Sequence, residues 1–204
     1  MARRTQAERT AGTRAALVAA ARPLFATKGY AGVGTDELAT AAGVTRGALY
    51  HQFGGKEGLF AAVYEELSAE IVEQLGGHRS PGSGAADPLV AVRASIDAWL
   101  AVCARPDVHR IVLLEAPAAL GYAQWREIGR RHGVGLVEDV VADLVASGLI
   151  RAQPATPLAH VLIGALEEAA LYAARAEPAD RDRATAEART ALLTLVEGLA
   201  GGRS

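Results

Sequence analysis

Apolar residues recur along the chain at steps of three and four, the interval that lines one face of an α-helix. Leu17, Ala21, Leu24 and Phe25 mark the first such face. Thr5 followed by Glu8 fits a capping box at its start, and Gly29 supplies a C′ stop. After the loop "GYAGVG", Thr35 is an N-cap candidate with Asp36 and Glu37 in the first turn of a short second helix. Its inward residues are expected to be Leu38, Ala41 and Ala42, and Gly43 ends it. Val44 plugs the turn and Thr45 caps a third short helix, "TRGALYHQF", with Leu49 and Phe53 facing inward. Gly54 and Gly55 break that helix. Lys56 opens a long fourth one with an apolar stripe of Leu59, Phe60, Val63, Tyr64, Leu67, Ile71 and Leu75.

Gly76 and Gly77 stop the fourth helix, and "HRSPGSGAADP" has the composition of a mobile connection. Pro88 then suits a first helical position, followed by Leu89, Val92, Ile96, Leu100 and Cys103. Pro106 starts a shorter segment carrying "VHRIVLLEA", which Pro117 is expected to interrupt. Trp125, Ile128, His132, Leu136, Val140 and Leu144 stripe a longer helix ending near Gly148. Thr156-Pro157 reads as a helix start. A last helix from about Asp180 carries Ala188, Leu192, Leu195, Val196 and Leu199. With strand formers sparse beside Ala, Leu, Glu and Arg, the expectation is an all-α protein of about nine helices.

Two short helices joined by a tight glycine-containing turn form the helix-turn-helix pattern, whose second helix lies in the DNA major groove. Charge agrees with that placement. Residues 1–56 hold eight Lys/Arg against three Asp/Glu, a net of +5, while the remainder holds 13 against 20, a net of −7. A basic head on an acidic body suits a polyanion at one end only, although uneven surface charge is also common without it. No apolar run approaches the roughly 20 residues that span a bilayer, and no apolar core follows the N-terminal arginines as in a signal peptide. The cytoplasm is the expected compartment, and no membrane partner is expected. The single cysteine, Cys103, excludes an intrachain disulfide and a cysteine-built zinc site.

From about Arg14 to Leu67 the sequence resembles the TetR (tetracycline repressor-like) family of bacterial transcription regulators, through "LFATKGY" and "GVGTDELATAAGVTRGALYHQFGGKEGLF". The resemblance implies an N-terminal helix-turn-helix DNA-binding domain, residues 1–56. A helical ligand-binding and dimerisation domain, residues 57–204, would follow, with the fourth helix (56–76) as connection. It also implies that Thr35, Thr45, Arg46, Gly47, Tyr50, His51 and Lys56 line the DNA surface. The family's usual Tyr-x-His-Phe reads Tyr50-His51-Gln52-Phe53 here, with Gln52 where histidine is frequent.

Each of these residues also has a plainer reading. Arg46 offers a planar donor fork for guanine O6 and N7, or is a solvated surface arginine. Gly47 weakens a helix by about 1 kcal/mol against alanine, a cost that close approach of backbone to DNA would explain. Tyr50 suits a hydroxyl-to-phosphate bond or a core edge with its hydroxyl in water. Lys56 and Thr35 sit at helix N-termini that attract phosphate, or serve only as caps. Arg3 and Arg4 form a minor-groove arm or a solvated tail.

A single head reads few bases, so specific binding calls for a dimer on a palindromic double-stranded operator. The last two helices, about 157–176 and 181–199, are apolar on more than one face and are expected to pair with their twofold mates, or else to pack on the middle helices. Trp99 and Trp125, with Cys103, His109, Leu113 and Tyr122 nearby in sequence, suit an apolar and aromatic ligand pocket or a bulky core. The family's inducer site lies in this region. His109, His132 and His160 make no local metal motif, and no cofactor is implied. Glu115, Glu167 and Glu168 with His109 or His160 are the remote enzymatic alternative, unsupported by any nucleophile, phosphate-loop or metal spacing. An architectural, ligand-independent DNA-binding protein is the nearer alternative, but it leaves the large acidic body without a role.

Overall fold

The computed structural model describes residues 6–76 and 88–201. The Thr5 capping box, the Arg3-Arg4 arm and the connection at 77–87 lie outside the described residues. All described elements are helical: eight α-helices, a π-helical stretch and a 3-10 turn. Among the described residues no helix is long and apolar enough to cross a membrane. Contacts divide the chain into two compact units, residues 1–67 with 106–125, and residues 68–105 with 126–204.

In the first unit, α1 (Gln6–Lys28) continues through Pro23 and buries Leu17, Ala21 and Phe25 completely. Phe25 meets Phe60 edge-on with ring centroids 5.0 Å apart, and Tyr30 meets the same ring at 5.1 Å. The helix closes at Gly29, whose φ of +73° is left-handed and whose N–H reaches the Phe25 carbonyl at 2.9 Å. α2 (Thr35–Ala41) and α3 (Arg46–Phe53) follow. The inward pair of α2 is Leu38 and Ala39, whereas Ala41 is exposed and Ala42 half-buried. The turn explains that correction, because it folds back over Ala39 and gives the Val44 N–H to the Ala39 carbonyl at 3.0 Å. α4 (Lys56–Gly76) fully buries Leu59, Phe60, Val63 and Leu67 in this unit.

The same unit contains a later segment. Val108–Glu115 is π-helical and buries Val108, Ile111, Val112 and Leu113. α6 (Ala116–Ala146) follows directly. The helical path runs on through Pro117, since Ala116 keeps helical angles and gives its N–H to the Ile111 carbonyl, but the π-helical register of the segment ends at Glu115, two residues before the proline. The break comes at Gly121, with φ 72° and ψ 157°, a conformation reserved for glycine.

The second unit is built on α5 (Pro88–Cys103), the later part of α6, α7 (Ala155–Arg175) and α8 (Arg181–Gly201). Val92, Ile96 and Leu100 join Val141, Leu144, Ile150 and Leu192 in one core, with Trp99, Leu162, Leu166 and Val196 packed around it. α7 starts one residue before Thr156, with Pro154 at its N-cap, so Thr156 is not its cap. Pro157 still falls in the first turn, where it is tolerated. Arg189 holds Asp97 through two hydrogen bonds and Arg93 holds Glu197, tying α8 to α5. Those bonds from Arg189 keep the Asp97 carboxyl below its ordinary range.

Candidate nucleic-acid interface

α3 is held by its own cap and by one buried leucine. Thr45 has extended backbone at the N-cap, and its Oγ1 accepts the Ala48 N–H at 3.1 Å. Leu49 is fully buried, and Gly54 ends the helix at φ +73°. Phe53 is half-buried, with the Arg14 guanidinium of α1 over its ring, 4.4 Å from the centroid. Anchoring α3 on that side leaves Thr45, Arg46, Gly47, Tyr50 and His51 exposed together.

Two of these exposed residues touch one another. Arg46 Nη2 lies 3.5 Å from the Tyr50 hydroxyl, and Nη1 lies 3.4 Å from Asp36 Oδ1, both long contacts that a better acceptor would outcompete. A Cβ added at Gly47 would meet only Thr45 Oγ1, at 3.8 Å, so nothing inside the chain requires glycine there. Thr35 is the first residue of α2, half-buried, and the N-cap is Gly34 without any side-chain bond. Thr35 is therefore not the cap.

Lys56 is more occupied than its position in the sequence suggests. Its Nζ donates to the Tyr30 carbonyl at 2.9 Å and the Val33 carbonyl at 3.1 Å, and stands 4.3 Å above the Tyr30 ring. Burial, with Glu57 adding to it, raises the Tyr30 phenol above its ordinary pKa, so the ring stays neutral under the ammonium. The lysine thus clips the start of α4 to the loop before α2. Gly58 is a scaffold residue that the pattern of apolar positions does not mark: a Cβ there would stand 1.9 Å from the Phe53 carbonyl oxygen. Only glycine lets α4 pass that close to the end of α3.

An exposed short helix with a polar outer face and a capped start is common to many DNA-binding folds. Family comparison narrows it. Residues 17–63 match the model for bacterial regulatory proteins of the tetR family, and residues 89–199 match that for the tetracyclin repressor-like C-terminal domain. The chain belongs to the TetR family. It is similar to a TetR-family transcriptional regulator of Pectobacterium atrosepticum, 37% identical, with 96% of this chain and 97% of that one covered and a TM-score of 0.83. The Transposon Tn10 TetC protein of Escherichia coli is 27% identical over 168 residues, 82% of this chain and 83% of its own. RolR, solved in complex with the ligand resorcinol, shares the fold at 18% identity and a TM-score of 0.73, with 97% of each chain covered.

This TetR-family regulator is therefore a transcriptional regulator with a helix-turn-helix DNA-binding domain. The residues expected to meet an effector divide between its two units. Trp99 and Cys103 belong to the second, where the Trp99 indole N–H donates to the Leu166 carbonyl at 3.0 Å. Cys103 is buried, which pushes its thiol pKa far up and leaves it neutral. His109, Leu113, Tyr122 and Trp125 belong to the first unit. There Leu113 is buried, His109 and Trp125 are half-buried, and Tyr122 is 73% exposed with its ring 5.9 Å from that of Trp125. The carboxylates weighed for acid-base chemistry each have an arginine instead: Glu115 with Arg110, Glu167 with Arg126, Glu168 with Arg175. Burial raises the Glu167 pKa against the pull of Arg126. Nothing in the spacing of residues marks the Arg126–Glu167 pair, since its members are 41 positions apart.

Proposed function

We propose that this TetR-family regulator is a homodimeric repressor that covers a palindromic operator and is released from it by a small apolar or aromatic molecule. The observation that carries the DNA part is Gly47, a helix-weakening residue with open space around its Cβ position, between an exposed arginine and an exposed tyrosine. Arg46 reads a base edge; Thr45, Gly47 and Tyr50 approach the same groove. Thr35, His51 and Lys56 bear on phosphates. Residues 1–56 meet DNA, and residues 57–204 dimerise and take the effector.

Dimerisation is supported by Val161 on α7 and Leu195 on α8, which are 63% and 40% exposed although the two helices already pack on each other and bury Ala170, Ala173, Ala184 and Ala188. Such faces pair with their twofold mates as a four-helix bundle. The effector class is supported by RolR, whose structure holds resorcinol, and by the aromatic residues of the middle helices. Release requires that the effector bind one conformation better than the other.

Selection of bound duplexes from a random DNA pool by the purified protein tests this reading. Enrichment of a palindrome with half-sites about one helical turn apart, roughly 34 Å, is the expected result. No enrichment would overturn it. Resorcinol is the first probe for release of the enriched duplex, followed by a panel of small phenols and apolar acids.

A further inference from the structure

The first turn of α2 carries two carboxylates, Asp36 and Glu37. Acids there suit the helix dipole, yet they stand beside a face that is to meet a polyanion. The two are held differently. Glu37 receives the Lys28 ammonium of α1 at 2.5 Å and is neutralised within the head. Asp36 turns toward α3, where its Oδ1 lies 3.4 Å from Arg46 Nη1. The other terminal nitrogen of Arg46 lies 3.5 Å from the Tyr50 hydroxyl, and its Cζ stands 5.5 Å from the Tyr50 ring centroid. The guanidinium is thus bracketed by α2 on one side and by the next turn of α3 on the other. Both contacts are longer than a full hydrogen bond, so they aim the fork without consuming its donors.

We infer that Asp36 is a specificity-determining residue of the operator interface, which holds the Arg46 guanidinium toward a base edge and away from the phosphate backbone. The reason is electrostatic. A phosphate that takes Arg46 must come close to the Asp36 carboxylate, and the two anions repel. Guanine offers Arg46 a neutral pair of acceptors, O6 and N7, and meets no such repulsion. Asp36 and Arg46 are 77% and 57% exposed, so their pairing adds little to the stability of the head. Its effect is on the choice of partner: the acid penalises the contact that every sequence offers and spares the one that a particular base offers.

The inference rests on the reading of Arg46 as a base contact, and its failure differs from the failure of that reading. Asp36→Asn keeps the size of the side chain and removes its charge. Anisotropy titrations across a salt series are expected to show random-duplex affinity rising about fivefold, with a salt dependence steeper by about one unit of slope, as Arg46 takes a phosphate. The ratio of palindrome to random-duplex affinity should fall about fivefold. Asp36→Glu, which keeps the charge, should hold that ratio within about twofold of the parent protein's. In an Arg46→Ala background, Asp36→Asn should change random-duplex affinity by no more than about twofold, because the acid acts through the arginine. An unchanged ratio in Asp36→Asn would overturn the inference, as would a rise on random duplex that persists without Arg46. Failure of the parent protein to bind any duplex would instead overturn the DNA-binding reading, and this inference with it.

Discussion

Arg46 and Lys56 carry the same charge in different settings. Arg46 keeps its guanidinium in solvent with long contacts to Tyr50 and Asp36, while Lys56 spends two donors on backbone carbonyls. Replacing Arg46 by alanine is expected to relax base preference at one position of each half-site by roughly tenfold, with affinity for random DNA little changed. Lys56→Ala is expected to do two things: flatten the salt dependence of binding to any duplex by about one unit of slope, and cost about 1 kcal/mol of head stability through the two lost bonds. Fluorescence anisotropy across a salt series and a denaturant melt separate the two variants. Gly47→Ala should move stability and affinity in opposite directions. The helix gains up to about 1 kcal/mol, since nothing obstructs the new methyl, and operator binding weakens. A Gly47→Ala protein that binds as well as the parent would remove the close approach to DNA. At this scale the cap at Thr45 was legible because extended backbone, a short hydroxyl and a donor three residues on belong to one local motif. Thr35 was not, because Gly34 takes the N-cap position without any side chain to announce it.

Helices were legible wherever one face is apolar and the ends carry glycine or proline, which accounts for α1, α3, α4 and α5 starting or stopping where glycine, threonine or proline marks them. In "VHRIVLLEAPAALGYAQW" the π-helical register does end beside Pro117, at Glu115, but the backbone leaves helical angles only at Gly121, whose left-handed φ no apolar spacing announces. The π-helical register of Val108–Glu115 leaves no mark either, since its buried residues recur almost as an α-helix would place them. This yields a paired expectation. Gly121→Ala should lower the thermal midpoint, by about 1–3 kcal/mol of stability, because φ 72° with ψ 157° is costly for any Cβ. Pro117→Ala should leave the midpoint close to the parent's. A reversal of that order would place the break at the proline after all. Gly58→Ala is expected to be worse than either, since the clash is with backbone oxygen, which cannot swing aside.

For the whole molecule, the proposed dimerisation by α7 and α8 would make DNA recognition depend on residues far along the chain from α3. Leu195→Glu is expected to give a monomer by sedimentation that binds random duplex as before and no longer selects the palindrome. Continued selection by that monomer would mean that one head suffices. What the sequence could not convey at this scale is which distant segments share a core: Arg22 and Asp107, hydrogen-bonded to each other, are 85 positions apart, and no periodicity links them. Yet Val108 and Ile111 are as fully buried in the first unit as Leu17 and Phe25. That discontinuity bears on anyone who would exchange heads between regulators of this family. A graft cut at residue 56 or 67 takes the reading helix but leaves behind part of the core on which α1 was folded, and meets a foreign plug in its new host. A graft that carries residues 106–125 along with the N-terminal part keeps the original interior, and is the one expected to express well and retain its own operator.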